Sequence, residues 1–107
     1  PLKEAELFIL IGNPAAQGHH YAQMAVLQFL DIAFVELDLH RIWADVPEYN
    51  HIAMHLFKRL GFTIEGSLRS THFLKGEWKN STVMGLLENE YRRRREGMWN
   101  NIVVLDN

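Results

Sequence analysis

The sequence predicts an α/β fold with a mixed sheet, in the order strand, helix, strand, helix, hairpin. Three observations carry that expectation. Two segments with apolar residues at three- and four-residue spacing alternate with two short strand-like runs. Two long β-type runs follow, separated only by Leu74-Lys75-Gly76-Glu77. Helices between strands imply parallel pairing through right-handed crossovers, and the hairpin adds an antiparallel edge.

Taken in order, Glu6 to Ile11 is a short apolar run stopped by Gly12-Asn13-Pro14, the pattern of a strand buried on both faces. Tyr21 to Leu37 reads as a helix whose stripe is Val26, Phe29, Leu30, Ala33, Phe34 and Leu37. Arg41 to Val46 alternates, with Ile42, Ala44 and Val46 on one side, and Pro47 ends it. Asn50 to Leu60 is a second helix. Asn50 is its N-cap, Ile52, Ala53, Leu56, Phe57 and Leu60 its buried stripe, and Lys58 and Arg59 suit the negative end of its dipole. Gly61 supplies the left-handed stop, and Phe62 can fold back onto the helix. Phe62 to Phe73 and Trp78 to Leu87 form the hairpin. Glu88 to Arg95 reads as a short helix, and Ile102 to Leu105, beyond Gly97, as an extra strand.

Length and composition bound the function. The 107 residues suit a single domain with one core. A formal net charge of -2 gives no global field favouring nucleic acid. The absence of cysteine excludes disulfides, thiolate metal sites and a cysteine nucleophile. The apolar runs are too short to span a bilayer, and Pro1-Leu2-Lys3-Glu4 lacks the pattern of a signal peptide, so a cytoplasmic protein without membrane or nucleic-acid partners is expected. Ligands of open α/β sheets bind at the C-terminal ends of parallel strands, beside helix N-termini. The loops Asn13 to His20 and Pro47 to Asn50 qualify.

Three collinear segments, "IGNPAAQGHHYAQMAVLQFLDIAFVELDLHRI", "NHIAMHLFKRLGFTIEGSLR" and "KGEWKNSTVMGLLENEY", resemble the GNAT superfamily of N-acetyltransferases. The likeness is greatest to the branch that acetylates ribosomal-protein N-termini or small amines. It covers about residues 6 to 91 in one register, with asparagine helix, glycine stop and closing strand in order. The resemblance implies the C-terminal part of that fold, residues 1–107 forming one truncated domain, with acetyl-CoA as cosubstrate and an amine as acceptor. In the family, a loop of pattern Arg/Gln-x-x-Gly-x-Gly/Ala wraps the pyrophosphate, using free N–H groups at a helix N-terminus. The matching residues are Gln17, Gly18, His19, His20, Tyr21 and Ala22. Leu10, Ile11 and Gly12 would pair their backbone with the pantetheine, and an amide there would polarise the thioester carbonyl. Asn50 and Phe57 complete the cofactor positions.

Four departures from the family pattern stand out. His20 occupies the place of the central glycine, adding bulk and penalising positive φ. Phe57 stands where many members have a tyrosine that protonates the departing thiolate. Asn80 replaces a usual acidic residue. The family's opening strands and helices, which supply much of the acceptor pocket, are not contained in this chain, and Pro1 is compatible with a removed initiator methionine. The first strand is then an exposed edge, so a homodimer or larger assembly is expected, through edge pairing or exchange of Ile102 to Leu105.

Plainer readings hold for several residues. His51 and His55 lie four apart on a helix, but no third ligand is evident and no metal is expected. The run Arg92 to Arg95 reads as a solvated helix end, and Glu6 as a strand-edge carboxylate and weak candidate base. No catalytic residue is identified. Two function classes stay open: an acetyl-CoA-dependent N-acetyltransferase, and a non-catalytic CoA-binding or self-association module derived from half the fold.

Overall fold

The computed structural model describes the backbone of residues 4–6 and 19–105 and the side chains of residues 23–100. Strand β1 (Glu4–Glu6) pairs in parallel with β2 (Arg41–Pro47), Glu4 opposite Arg41 and Glu6 opposite Trp43. A hairpin of β3 (Thr63–Leu74) and β4 (Glu77–Leu87) completes a sheet of order β1-β2-β4-β3. The sheet is mixed, as expected, but its antiparallel strand is interior. The second arm of the hairpin, β4, lies against β2, and β3 takes the edge. Burial explains the choice. Met84 and Leu86 of β4 are fully buried opposite Ala44 and Ile42, whereas the first eight residues of β3 are exposed. Most of the expected first strand, Leu7 to Ile11, lies outside the described residues.

Helix α1 (His19–Asp31) begins two residues earlier than the sequence suggests and passes into a π-helical turn, Ile32–Glu36. The Leu37 amide donates to the Ile32 carbonyl at 2.9 Å, an i→i+5 bond. This wider turn rotates the last expected stripe residue away from the core. Val26, Leu30, Ala33 and Phe34 are buried as expected, Phe29 is half-buried, and Leu37 is exposed. Leu27 and Gln23, outside the expected stripe, are buried. Asp38, with φ 56°, turns the chain into β2.

Helix α2 (His51–Arg59) follows its sequence signals closely. The Asn50 side chain accepts from the Ala53 amide at 3.0 Å, satisfying one first-turn donor. Gly61, at φ 92°, ends the helix, and the Phe62 amide donates back to the Phe57 carbonyl at 3.0 Å. The rings of Phe57 and Phe62 pack with centroids 5.0 Å apart. Of the expected stripe, Ile52 alone is exposed.

Helix α3 (Glu88–Leu105) corrects two expectations. The helix does not stop near Arg95, and Ile102 to Leu105 is helical backbone, not a strand. Gly97 sits inside it at an open surface position, a cost of about 1 kcal/mol. Packing overrides that cost: Tyr91 and Met98 are buried and Trp99 packs against the core, a helical seven- and eight-residue spacing. The Tyr91 hydroxyl donates to Asp31 Oδ1 at 2.9 Å, the Trp99 indole donates to that hydroxyl at 3.3 Å, and Arg95 closes an ion pair on Asp31. Arg92 donates to the Phe34 carbonyl at 3.1 Å, capping the π turn. β-Branched preference in Ile102-Val103-Val104 is local, and a docked helix outweighs it.

All three helices join one core with Ile42, Ala44, Val46, Met84 and Leu86. Residues of opposite parity, among them Trp43, Asp45, Val83 and Gly85, form the other face of the sheet, which carries no helix among the described residues. There the Arg41 guanidinium and Glu65 carboxylate meet at 2.7 Å directly over Gly85, where any Cβ would collide with both. No described helix is long and apolar enough to cross a membrane.

Candidate functional site

The site forms where β2 ends. The turn from Pro47 to Asn50 closes with the Asn50 amide donating to the Pro47 carbonyl at 2.9 Å. β4 holds this turn: the Glu48 amide donates to the Asn80 carbonyl at 3.0 Å, and the Asn80 amide donates to Glu48 Oε1 at 3.3 Å. Asn80 also accepts from the Ser70 amide through Oδ1 at 2.9 Å. One asparagine thus joins the turn before α2 to the edge strand. An acidic side chain there could also accept from Ser70, so the amide's advantage is neutrality beside Glu48.

Helix α1 and its π turn run back to the start of β2, so the α1 N-terminus lies at the end of the sheet where β2 finishes. α2 begins at that same end. Neither helix has an acidic residue in its first turn, an arrangement that favours an anion at those N–H groups. His19, His20, Tyr21 and Ala22 form the first turn of α1. A helical His20 corrects one expectation: its backbone is right-handed, and no positive-φ strain is paired with the loss of glycine. Leu10, Ile11, Gly12, Gln17 and Gly18 lie outside the described residues. Gln23, one turn beyond His19, is a buried polar side chain that patterning alone did not single out.

Phe57 is 1% exposed and sits in the core against Phe62. It offers no polar atom. On the helix-free face, Asp45 Oδ1 and His72 Nε2 are 3.3 Å apart, joining β2 to β3 across β4. Sequence reading missed this pair, because Asp45 and His72 are 27 residues apart and meet only through the strand order. The fully buried Ser81 hydroxyl accepts from Thr71 at 2.7 Å beside it. The described residues contain no group of three or more His, Cys, Asp or Glu side chains arranged to hold a metal ion.

Beside Asn80, the hydrogen bond between Lys79 and Glu77 lowers the pKa of the Glu77 carboxyl and raises that of the Lys79 ammonium; the other shifts lie at the far end of α1. Arg95, followed by Tyr91, holds the Asp31 carboxyl below its usual value against the opposing effect of burial. Burial pushes the Tyr91 phenol up to about 12, and Asp31 adds to the rise. These groups bind α3 to the far end of α1 and are structural.

The family model of an acetyltransferase (GNAT) domain matches residues 1–63. The chain belongs to the GNAT acetyltransferase family. GNAT relatives include the spermidine N(1)-acetyltransferase of Vibrio cholerae serotype O1, 34% identical over 94 residues that make up 88% of this chain and 54% of the relative. That of Escherichia coli K12 is 32% identical over 89 residues, 83% of this chain and 47% of the relative. The dodecameric structure of the Vibrio cholerae enzyme in an intermediate state superposes with a TM-score of 0.78 at 34% identity, covering 86% of this chain and 53% of that one. The chain therefore spans about half the length of the curated GNAT relatives it matches.

Proposed function

We propose that this chain supplies the acetyl-CoA-binding part of an N-acetyltransferase that transfers acetyl to a small amine. The observation that carries the reading is the agreement in fold and sequence, over most of this chain, with spermidine N-acetyltransferases. GNAT acetyltransferases use acetyl-CoA as cosubstrate. In this reading the pyrophosphate lies at the first turn of α1, with Gln17, Gly18, His19, His20, Tyr21 and Ala22 around it. The backbone of Leu10, Ile11 and Gly12 follows the pantetheine arm and polarises the thioester carbonyl. Asn50 flanks the cofactor from α2, with Phe57 packed deeper in the core against Phe62. Asn50 keeps the N-terminus of α2 formed and open toward that end, which its bond to Ala53 supports. Phe57 gives the thiolate no proton, so the leaving group takes one from water.

Residues 1–107 act as one domain in this account, in a cytoplasmic protein that assembles as a homodimer or larger. The dodecameric relative supports assembly, and β1, at the edge of the described sheet, offers a pairing surface. Exchange of Ile102 to Leu105 as a strand is set aside, since that segment is helical. The test is a thiol-release assay with acetyl-CoA and a panel of spermidine, monoamines and peptide N-termini. Turnover highest with the small amines supports the reading. Tight acetyl-CoA binding with no thiol release from any amine supports a non-catalytic CoA-binding module instead.

A further inference from the structure

Acetyl transfer from a thioester to an amine requires a proton acceptor, and the helix-free face of the sheet contains a candidate. We propose that His72 is the general base for the acceptor amine and that Asp45 is its positioning residue. The proposal rests on the acetyltransferase reading above.

Three features favour this over a surface ion pair, which contributes little by itself. The first is place. Asp45 is two residues from the end of β2 and two beyond Trp43, the last β2 residue paired with β1 among the described residues. It therefore lies at the C-terminal end of the parallel strands, where open α/β sheets bind ligands. The described helices cover the opposite face, and no described helix lies on this one.

The second is cost. Aspartate is depleted in strands, and β2 is interior, between β1 and β4. His72 reaches Asp45 across the whole of β4 because β3 is irregular between Leu68 and His72. The irregularity is held by specific bonds. Ser70, a non-glycine residue at φ 54°, donates its amide to Asn80, and Thr71 donates to the buried Ser81 hydroxyl. Bulges of this kind re-aim side chains and concentrate near active sites, where backbone strain is retained. Here the re-aimed side chain is the imidazole.

The third is proton placement. Asp45 Oδ1 meets Nε2, so Nδ1 is the ring nitrogen left to face an incoming amine and is the proposed base atom. Both side chains retain partial exposure, 32% and 23%, so an amine can approach. In the step, the amine nitrogen lone pair forms the C–N bond to the thioester carbonyl carbon. The C–S pair leaves on sulfur as thiolate. The proton released by nitrogen passes to Nδ1, and the imidazolium is stabilised by Asp45 until it returns the proton to water. Other charges bear on this face. Lys79 stands opposite His72 in register with Glu77 paired to it, and the Arg41–Glu65 pair lies farther along the sheet.

The experiment uses the full chain, with acetyl-CoA binding followed by calorimetry and thiol release followed with spermidine as the probe amine across pH. His72→Gln is expected to lower turnover about 100-fold, the scale of general-base catalysis, and to remove the acid limb of the wild-type profile. Its acetyl-CoA affinity is expected to stay within about twofold of wild type, because the dyad acts on the amine. Asp45→Asn is expected to lower turnover about 10-fold and to move the His72 proton between ring nitrogens in long-range 1H–15N spectra. Failure of the wild-type chain to bind acetyl-CoA overturns the acetyltransferase reading itself. Binding without turnover from any amine overturns that reading too, whereas turnover with a pH profile that His72→Gln leaves unchanged overturns the dyad alone.

Discussion

Tyr91→Phe isolates the contact that fastens α3 to the rest of the fold. The ring is fully buried and stacks on Phe34 with centroids 5.3 Å apart, so phenylalanine keeps the packing and removes only the hydroxyl. That hydroxyl donates to an ionised Asp31 and accepts from Trp99. A hydrogen bond to a charged group contributes about 1.5–3 kcal/mol. Asp31 keeps Arg95 after the change, so its carboxylate is not left alone. The expected loss at pH 7 is therefore about 2 kcal/mol, equivalent to roughly 10 °C in melting temperature for a domain of this size. The pH dependence adds a signature. The folded phenol titrates at about 12 against an ordinary 10, so the protonated form is the one the fold retains. That stability is fully present below pH 10 and is lost as pH rises from 10 through 12, amounting to about 2.7 kcal/mol at most. Urea unfolding of both proteins between pH 7 and 12 measures both effects. The wild type should lose stability across the alkaline window by more than the variant does. A variant as stable as wild type at pH 7, with the same alkaline loss, would refute the assignment of Tyr91 as the anchor of α3.

Two further substitutions test the frame around the site. Asn50→Ala removes the cap on α2 and should cost about 1 kcal/mol in urea unfolding, with Asn50→Ser recovering most of it. Gly61→Ala should cost about 1–2 kcal/mol, because the residue is left-handed at φ 92° and its Cβ would sit 2.7 Å from the Arg94 guanidinium. Equal stability of Gly61→Ala and wild type would mean that α2 ends by another geometry.

Local chemistry made much of this fold legible. The Asn50 cap, the Gly61 stop, the Phe62 fold-back and the alternation of Ile42, Ala44 and Val46 each depend on residues close in sequence. The hairpin turn did too, since Lys75 and Gly76 both adopt positive φ. What escaped depends on distant partners. Whether β3 or β4 adjoins β2 is decided by burial of Met84 and Leu86, which no local pattern reports. The π turn that exposes Leu37 is held by Arg92 from another helix. The course of α3 past Gly97 follows from Met98 and Trp99 docking, against both a glycine and a β-branched run. The Asp45–His72 pair escaped for the same reason: neither residue is informative until strand order brings them together. The proposed cofactor positions come from resemblance alone, because an anion site at a helix N-terminus uses backbone groups that leave little side-chain signature.

Acetyl-CoA binding to the isolated chain tests the central claim most directly. A thermal-shift series from micromolar to millimolar acetyl-CoA, with desulfo-CoA and ATP as comparisons, is sufficient. At a ligand concentration about 100 times its dissociation constant, native-state binding adds about 2.7 kcal/mol, so the melting temperature should rise by roughly 10 °C or more. His20→Glu, which places an anion beside the phosphates, should abolish that rise while leaving the melting temperature of the unliganded chain nearly unchanged. A melting temperature that stays constant through millimolar acetyl-CoA would contradict the account.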